Sequence, residues 1–223
     1  MSRRASAEHR CPRCRLHAAL CLCAEVRRCT TKNSLLLVVH RREAQKPTTS
    51  GGLAALVLAK SRTIIVDGQG GPAVDADPDT SVMLFPAPKA TPLADVVADR
   101  GGAPLTLVVP DGTWAEAQKM RRRVPGLATL PCATLPAGPP TAYRLRHEPK
   151  EGGLATLEAI ARAFAILEGD GSDVEDALMQ VFARFVERTL WMRGTLRDDE
   201  LRFGLPEAAR LLSPRGARSP AAH

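Results

Sequence analysis

The chain has 223 residues, enough for one medium-sized core with a small appendage. Its 44% hydrophobic and 25% charged content excludes a disordered or fibrous protein, and no apolar run approaches the length of a membrane helix. Net charge is +7 and clustered: residues 1–32 hold eight Arg or Lys against two acids, and 119–123 read Lys-Met-Arg-Arg-Arg. Such clustering favours a polyanionic partner, by phosphate neutralisation and counterion release, with a solvated basic surface as the plainer alternative.

Residues 1–32 show little apolar periodicity. The basic start, Met-Ser-Arg-Arg-Ala-Ser, has no apolar segment after it, so the expectation is a cytoplasmic protein rather than an exported one. Leu35 to Val39 is a continuous aliphatic run, as in a strand covered on both faces. A polar, basic loop leads to a helical stretch at 53–59, and Thr63 to Val66 is a second strand, stopped by Asp67-Gly68. Ser81 to Phe85 is a third strand, 93–100 a short amphipathic helix, and Leu105 to Val109 the most strand-like run in the chain. A helix is predicted over 113–122, a weak strand at Ala128-Thr129-Leu130, and a Pro/Gly-rich loop to about residue 153. Apolar residues at helical spacing then mark helices at 154–167 and 173–191, and the tail from Ser213 is expected to be disordered. Strands alternating with helices predict an α/β fold with a largely parallel sheet, its active residues beyond the strands' carboxyl ends.

Four motifs carry chemistry. Cys11-Pro-Arg-Cys14 and Cys21-Leu-Cys23 are two close thiol pairs, the donor set of a closed tetrahedral zinc site. A segment with so small a core would draw most of its folding energy from the metal. Asp111-Gly112-Thr113-Trp114 follows the best strand and opens a helix. The local reading exposes Asp111 at the strand end, or makes it a plain turn residue. Tyr143-Arg144-Leu145-Arg146 precedes a glycine-rich helix entry, a setting that suits a carboxylate or a phosphate. His40 to Gly51 is a basic loop between strand and helix, able to cradle an anion or simply to be solvated.

In this order the motifs resemble the DTW-domain family of tRNA-uridine aminocarboxypropyltransferases. The resemblance rests on the four cysteines; on His40, Glu43, Lys46, Thr48 and Gly51; on Asp111 to Trp114 with Glu116, Lys119 and Met120; on Tyr143 to Arg146; and on Thr156-Leu157-Glu158-Ala159. It spans roughly 11–190. Arg41 departs from the family's proline, and Thr49-Ser50 from its Asn-Thr step.

What the resemblance implies is a SPOUT-related sheet with a knotted C-terminal part, organised as a zinc segment at 1–32, a catalytic domain at 33–212 and a tail at 213–223. S-adenosylmethionine would lie across Leu84-Phe85-Pro86, Asp111 to Trp114, Tyr143 to Arg146 and Thr156. Its 3-amino-3-carboxypropyl group would pass to N3 of a uridine in tRNA, with release of methylthioadenosine. Asp111 is the first candidate for the base and Glu158 the second, while Arg144 or Arg146 would clamp the donor's carboxylate. His40, Lys46, Lys119, Arg121, Arg122 and Arg123 are expected to contact RNA phosphates. The expected assembly is a monomer away from membranes. A SPOUT-like RNA methyltransferase and a non-catalytic zinc-containing RNA-binding module are the alternatives.

Overall fold

The computed structural model describes residues 9–67, 72–145 and 153–212. Its centre is a six-stranded sheet: β1 (Ser34–His40), β2 (Ser61–Val66), β3 (Ser81–Leu84), β4 (Thr91–Pro92), β5 (Thr106–Asp111) and β6 (Cys132–Thr134). The strand order is β2-β1-β5-β3-β6-β4, and every pairing is parallel. The helices are α1 (Arg41–Ala44), α2 (Gly51–Val57), α3 (Leu93–Asp99), α4 (Trp114–Arg123), α5 (Thr156–Glu168) and α6 (Val174–Met192).

The aliphatic run of β1 explains the layering. Side chains alternate across a strand, so Leu35, Leu37 and Val39 join one core with α2, α5 and α6. Leu36 and Val38 join the other, with Val108, Ala117 and Met120, under α4. A strand buried on both faces needs apolar residues at every position, which is why β1 and β5 lack the polar alternation of a half-exposed strand. β2 lies at the sheet edge, and there the pattern turns polar and partly exposed.

Three details differ from the sequence reading, the first being the short edge strand β4 at Thr91–Pro92. Ala128 to Leu130 is a turn, and the strand lies just beyond it at Cys132–Thr134. Leu130 is buried in the second core, and pairing with β3 starts at the Pro131 carbonyl, which accepts from the Met83 N–H at 2.8 Å. The loop after β1 also contains the one-turn helix α1, capped by His40.

The cysteine-rich segment shares the main core, since Leu16, Leu20 and Leu22 are buried in the cluster that contains Leu35 and Phe182. The tail from 213 lies outside the described residues. Residues 146–152, within the C-terminal part for which a knot is expected, also lie outside them.

The topology places a crevice. From β1 the chain leaves towards β2 on one side; from β5 it leaves through α4 towards β6 on the other. Loops diverging from adjacent parallel strands open a cleft above their carboxyl ends, where ligands of open α/β sheets bind.

Candidate active site and tetracysteine site

A cavity of about 430 Å³ occupies that cleft, within the size range of small-ligand sites. One part of its wall is apolar: Leu84, Phe85 and Pro86 after β3, Ala133 and Leu135 around β6, and Leu154 and Ala159 at the start of α5. The other part is polar, with Glu43, Lys46, Ser50, Asp111 and Thr156. Gly112, Thr113, Trp114 and Tyr143 also line it.

Asp111 is the last residue of β5 and is buried, at 3% exposure, not exposed as the local sequence implied. Thr156 donates its hydroxyl to Oδ1 at 2.6 Å, and Thr49 donates to Oδ2 at 3.4 Å. Both residues at the loop's departure from the family pattern make contacts at the site, for Thr49 touches Asp111 and the Ser50 hydroxyl accepts the Leu157 N–H at 3.5 Å. Gly51 is required by close approach: a Cβ there would lie 2.9 Å from Asp111 Cγ and 3.1 Å from Thr156 Cγ2. The carboxylate is gripped from α2, α5 and the loop between β1 and α2.

Thr113 caps α4, taking the Glu116 N–H at 3.3 Å while its own N–H donates to Glu116 Oε2 at 2.9 Å. Glu116 Oε1 also lies 3.3 Å from His40 Nδ1. Burial works to raise the Glu116 carboxyl, but the Thr113 N–H and hydroxyl, His40 and Lys46 outweigh it and hold the group below its ordinary range. His40, expected to meet RNA, is instead buried between this carboxylate and the start of α1.

Trp114 is 40% exposed, with its ring tilted over Phe85 at 6.3 Å, so it both packs and faces the cavity mouth. Arg121 stacks on Phe85 at 5.6 Å, whereas Lys119, Arg122 and Arg123 are exposed along α4. Lys46 belongs to the cavity wall and pairs with Glu43 at 2.5 Å.

Tyr143 donates its hydroxyl to the Thr48 carbonyl and stacks on Phe182 at 5.6 Å, tying its loop to the rim. Leu145 is core, and Arg144 is exposed and absent from the cavity wall. Arg146 lies outside the described residues. Glu158 also stands behind the wall: its oxygens accept from the Thr141 hydroxyl, from the Ala142 N–H at 2.7 Å and from the Ala155 N–H at 2.9 Å. That is the geometry of a brace for the loop, not of a group facing ligand.

The four cysteines converge. Cys11 Sγ lies 3.7 Å from Cys23 Sγ, and Cys14 Sγ lies 3.8 Å from Cys21 Sγ, with all four sulfurs within 4.8 Å of one another. A tetrahedral zinc with bonds of about 2.3 Å has sulfur–sulfur edges of about 3.8 Å, so the donor set fits a metal ion. Burial pushes the Cys14 thiol up to about 11, with repulsion from Cys21 adding to it, the electrostatic load that a bound cation relieves. At Cys11 burial is outweighed by the backbone N–H groups of Cys14 and Arg13, which bring that thiol down to about 7. His17 is not part of the set; its Nδ1 accepts the Ala19 N–H at 3.2 Å.

One residue the sequence did not single out anchors this site. Arg188 on α6 is 2% exposed, donates to both Glu25 oxygens at 2.6 and 2.8 Å, and reaches the Leu20 and Cys21 carbonyls at 3.3 and 3.2 Å. Arg184, one turn earlier on α6, reaches the same Glu25 at 3.5 Å, so the local signal is two arginines a turn apart on a largely apolar helix.

Parallel sheet, strand-end cavity and four-cysteine cluster together define an α/β protein with a cysteine-rich appendage whose thiols could hold a metal ion. The family model of the DTW domain matches residues 8–190, most of the chain, and the chain belongs to the DTW-domain family. It is similar to tRNA-uridine aminocarboxypropyltransferase 2 of Drosophila melanogaster, 26% identical over 170 residues, covering 72% of this chain and 67% of that protein. The Mus musculus protein of the same name is 29% identical over 168 residues, 71% of this chain and 56% of the relative, so the chain spans only about half of that relative. Arabidopsis thaliana tRNA-uridine aminocarboxypropyltransferase A is 27% identical over 221 residues, with 81% of each covered. No solved structure matches the chain. Among the described residues no helix is long and apolar enough to cross a membrane.

Proposed function

We propose that this protein transfers the 3-amino-3-carboxypropyl group of S-adenosylmethionine to N3 of a uridine in tRNA, and that it releases methylthioadenosine. The observation that carries the reading is the buried Asp111 carboxylate, fixed by Thr156 and Gly51 in a cavity with one apolar and one charged side. The similarity to tRNA-uridine aminocarboxypropyltransferases supports it.

The apolar wall suits an adenosine, held by Leu84, Phe85, Pro86 and Leu135. The donor contributes a carbon activated by its bond to a sulfonium sulfur. Uracil N3 carries a proton at neutral pH, so a base beside it raises its nucleophilicity. Asp111 is that base in our reading, because it reaches the cavity and Glu158 does not. As its carboxylate takes the N3 proton, the new N3–carbon bond forms and the carbon–sulfur bond breaks, leaving a neutral thioether. Thr156 and Thr49 orient the carboxylate, and holding it in line with the acceptor is where catalysis by proximity resides. Trp114 at the mouth offers the acceptor base a partly exposed ring. The exposed cations of α4 meet tRNA phosphates, and Cys11, Cys14, Cys21 and Cys23 hold a structural zinc.

Product analysis tests the assignment. Purified protein incubated with S-adenosylmethionine and tRNA should yield methylthioadenosine and a nucleoside heavier by the aminocarboxypropyl group. S-adenosylhomocysteine with a methylated nucleoside would instead mean methyl transfer.

A further inference from the structure

Among the described residues, three charged side chains line the cavity: Glu43, Lys46 and Asp111. Asp111 is engaged by two threonine hydroxyls from below. Glu43 and Lys46 form a separate unit on and beside α1. Glu43 is buried, at 3% exposure, and Lys46 Nζ sits 2.5 Å from its Oε2. The pair is held at the wall by the chain itself, since the Lys46 N–H donates to the Glu43 carbonyl at 2.9 Å. The Lys46 side chain keeps 38% exposure, so the pair stays open to an approaching ligand.

We infer that the Glu43–Lys46 pair recognises the zwitterionic amino-acid head of the donor, with the ligand's carboxylate against Lys46 and its ammonium against Glu43. The inference rests on the proposed function and deepens it. A lone lysine would collect any anion, and a lone glutamate any cation. Two opposite charges a hydrogen bond apart match only a ligand that carries both on one carbon, and the four charges then alternate in sign. This moves the carboxylate clamp away from Arg144, which is exposed and absent from the wall.

Calorimetry with two ligands separates the parts of this claim. S-adenosylhomocysteine and methylthioadenosine share the adenosine and the thioether, but only the first has the amino-acid head. Lys46→Met and Glu43→Gln should each weaken S-adenosylhomocysteine by about 10- to 100-fold, the scale of a charge-assisted hydrogen bond. Methylthioadenosine should change by less than about 2-fold, and Lys46→Arg should restore most of the lost affinity. Equal effects on both ligands, or none on either, overturn the inference and leave the donor assignment standing. Failure of the unsubstituted protein to bind either ligand overturns both.

Discussion

Gly51 offers the sharpest test of the site, because adding one methyl group moves the reactive carboxylate without removing it. Carbon atoms pack at about 3.5–4.0 Å, yet a Cβ at Gly51 would stand 2.9 Å from Asp111 Cγ and 3.1 Å from Thr156 Cγ2. In Gly51→Ala the carboxyl must therefore retreat by about 0.6–1 Å. The Thr156 bond, now 2.6 Å, would then leave the range of about 2.5–3.0 Å expected of a good O–H···O contact. A misplacement of about 1 Å at a reacting group costs on the order of 10²-fold in rate, and overpacking costs about 1–3 kcal/mol of stability. The neighbouring Gly52 is the control: a Cβ there meets nothing within 4 Å. Gly52→Ala should keep full turnover and gain about 0.5–1 kcal/mol from helix propensity. Both variants would be compared in single turnovers at saturating S-adenosylmethionine, following methylthioadenosine, with thermal melts as the check on folding. A folded Gly51→Ala protein that turns over as fast as Gly52→Ala would refute the claim that the position of Asp111 controls the reaction.

Asp111→Asn should fold and bind donor but lose about 10²- to 10⁴-fold in saturated turnover, and higher pH should recover part of the loss as uracil ionises unaided; normal turnover at neutral pH excludes the base role. Metal analysis of the purified protein should find one zinc per chain, lost on acidification because protons compete for the thiolates, and Cys14→Ser should weaken tRNA binding more than donor binding. Replacing Lys119, Arg122 and Arg123 together should lower the slope of log affinity against log salt by roughly 0.7–0.9 per lost phosphate contact; an unchanged slope makes this helix face a solvated one. Glu116 has a folded pKa below its ordinary value, so its stabilisation is complete above the usual carboxylate range and disappears as pH falls through the lowered value. Denaturation of Glu116→Gln should accordingly show a deficit of about 0.3–1 kcal/mol at neutral pH, from the charge lost at the helix start, and a gap that closes in acid.

Local pattern was enough wherever a residue's role depends on its neighbours in the chain. The aliphatic runs of β1 and β5 announce strands covered on both faces, because such strands tolerate no polar side. The spacing of Cys11, Cys14, Cys21 and Cys23 brings four soft donors within reach of one another, and the structure sets their sulfurs within 4.8 Å of one another. The capped start of α4 after Asp111-Gly112 could likewise be read from Thr113 and Glu116. Everything decided by packing between distant segments was out of reach. Asp111 is buried because α2 and the start of α5 close over it, and His40 because Glu116 arrives from the first turn of α4. Glu158 faces Thr141 and Ala142 rather than the cavity, as the register of α5 against that loop dictates. Arg188 anchors the cysteine segment from more than 160 residues away in sequence. Sequence periodicity fixes which face of an element is apolar, but the partner that meets each polar side chain is chosen only when the layers assemble.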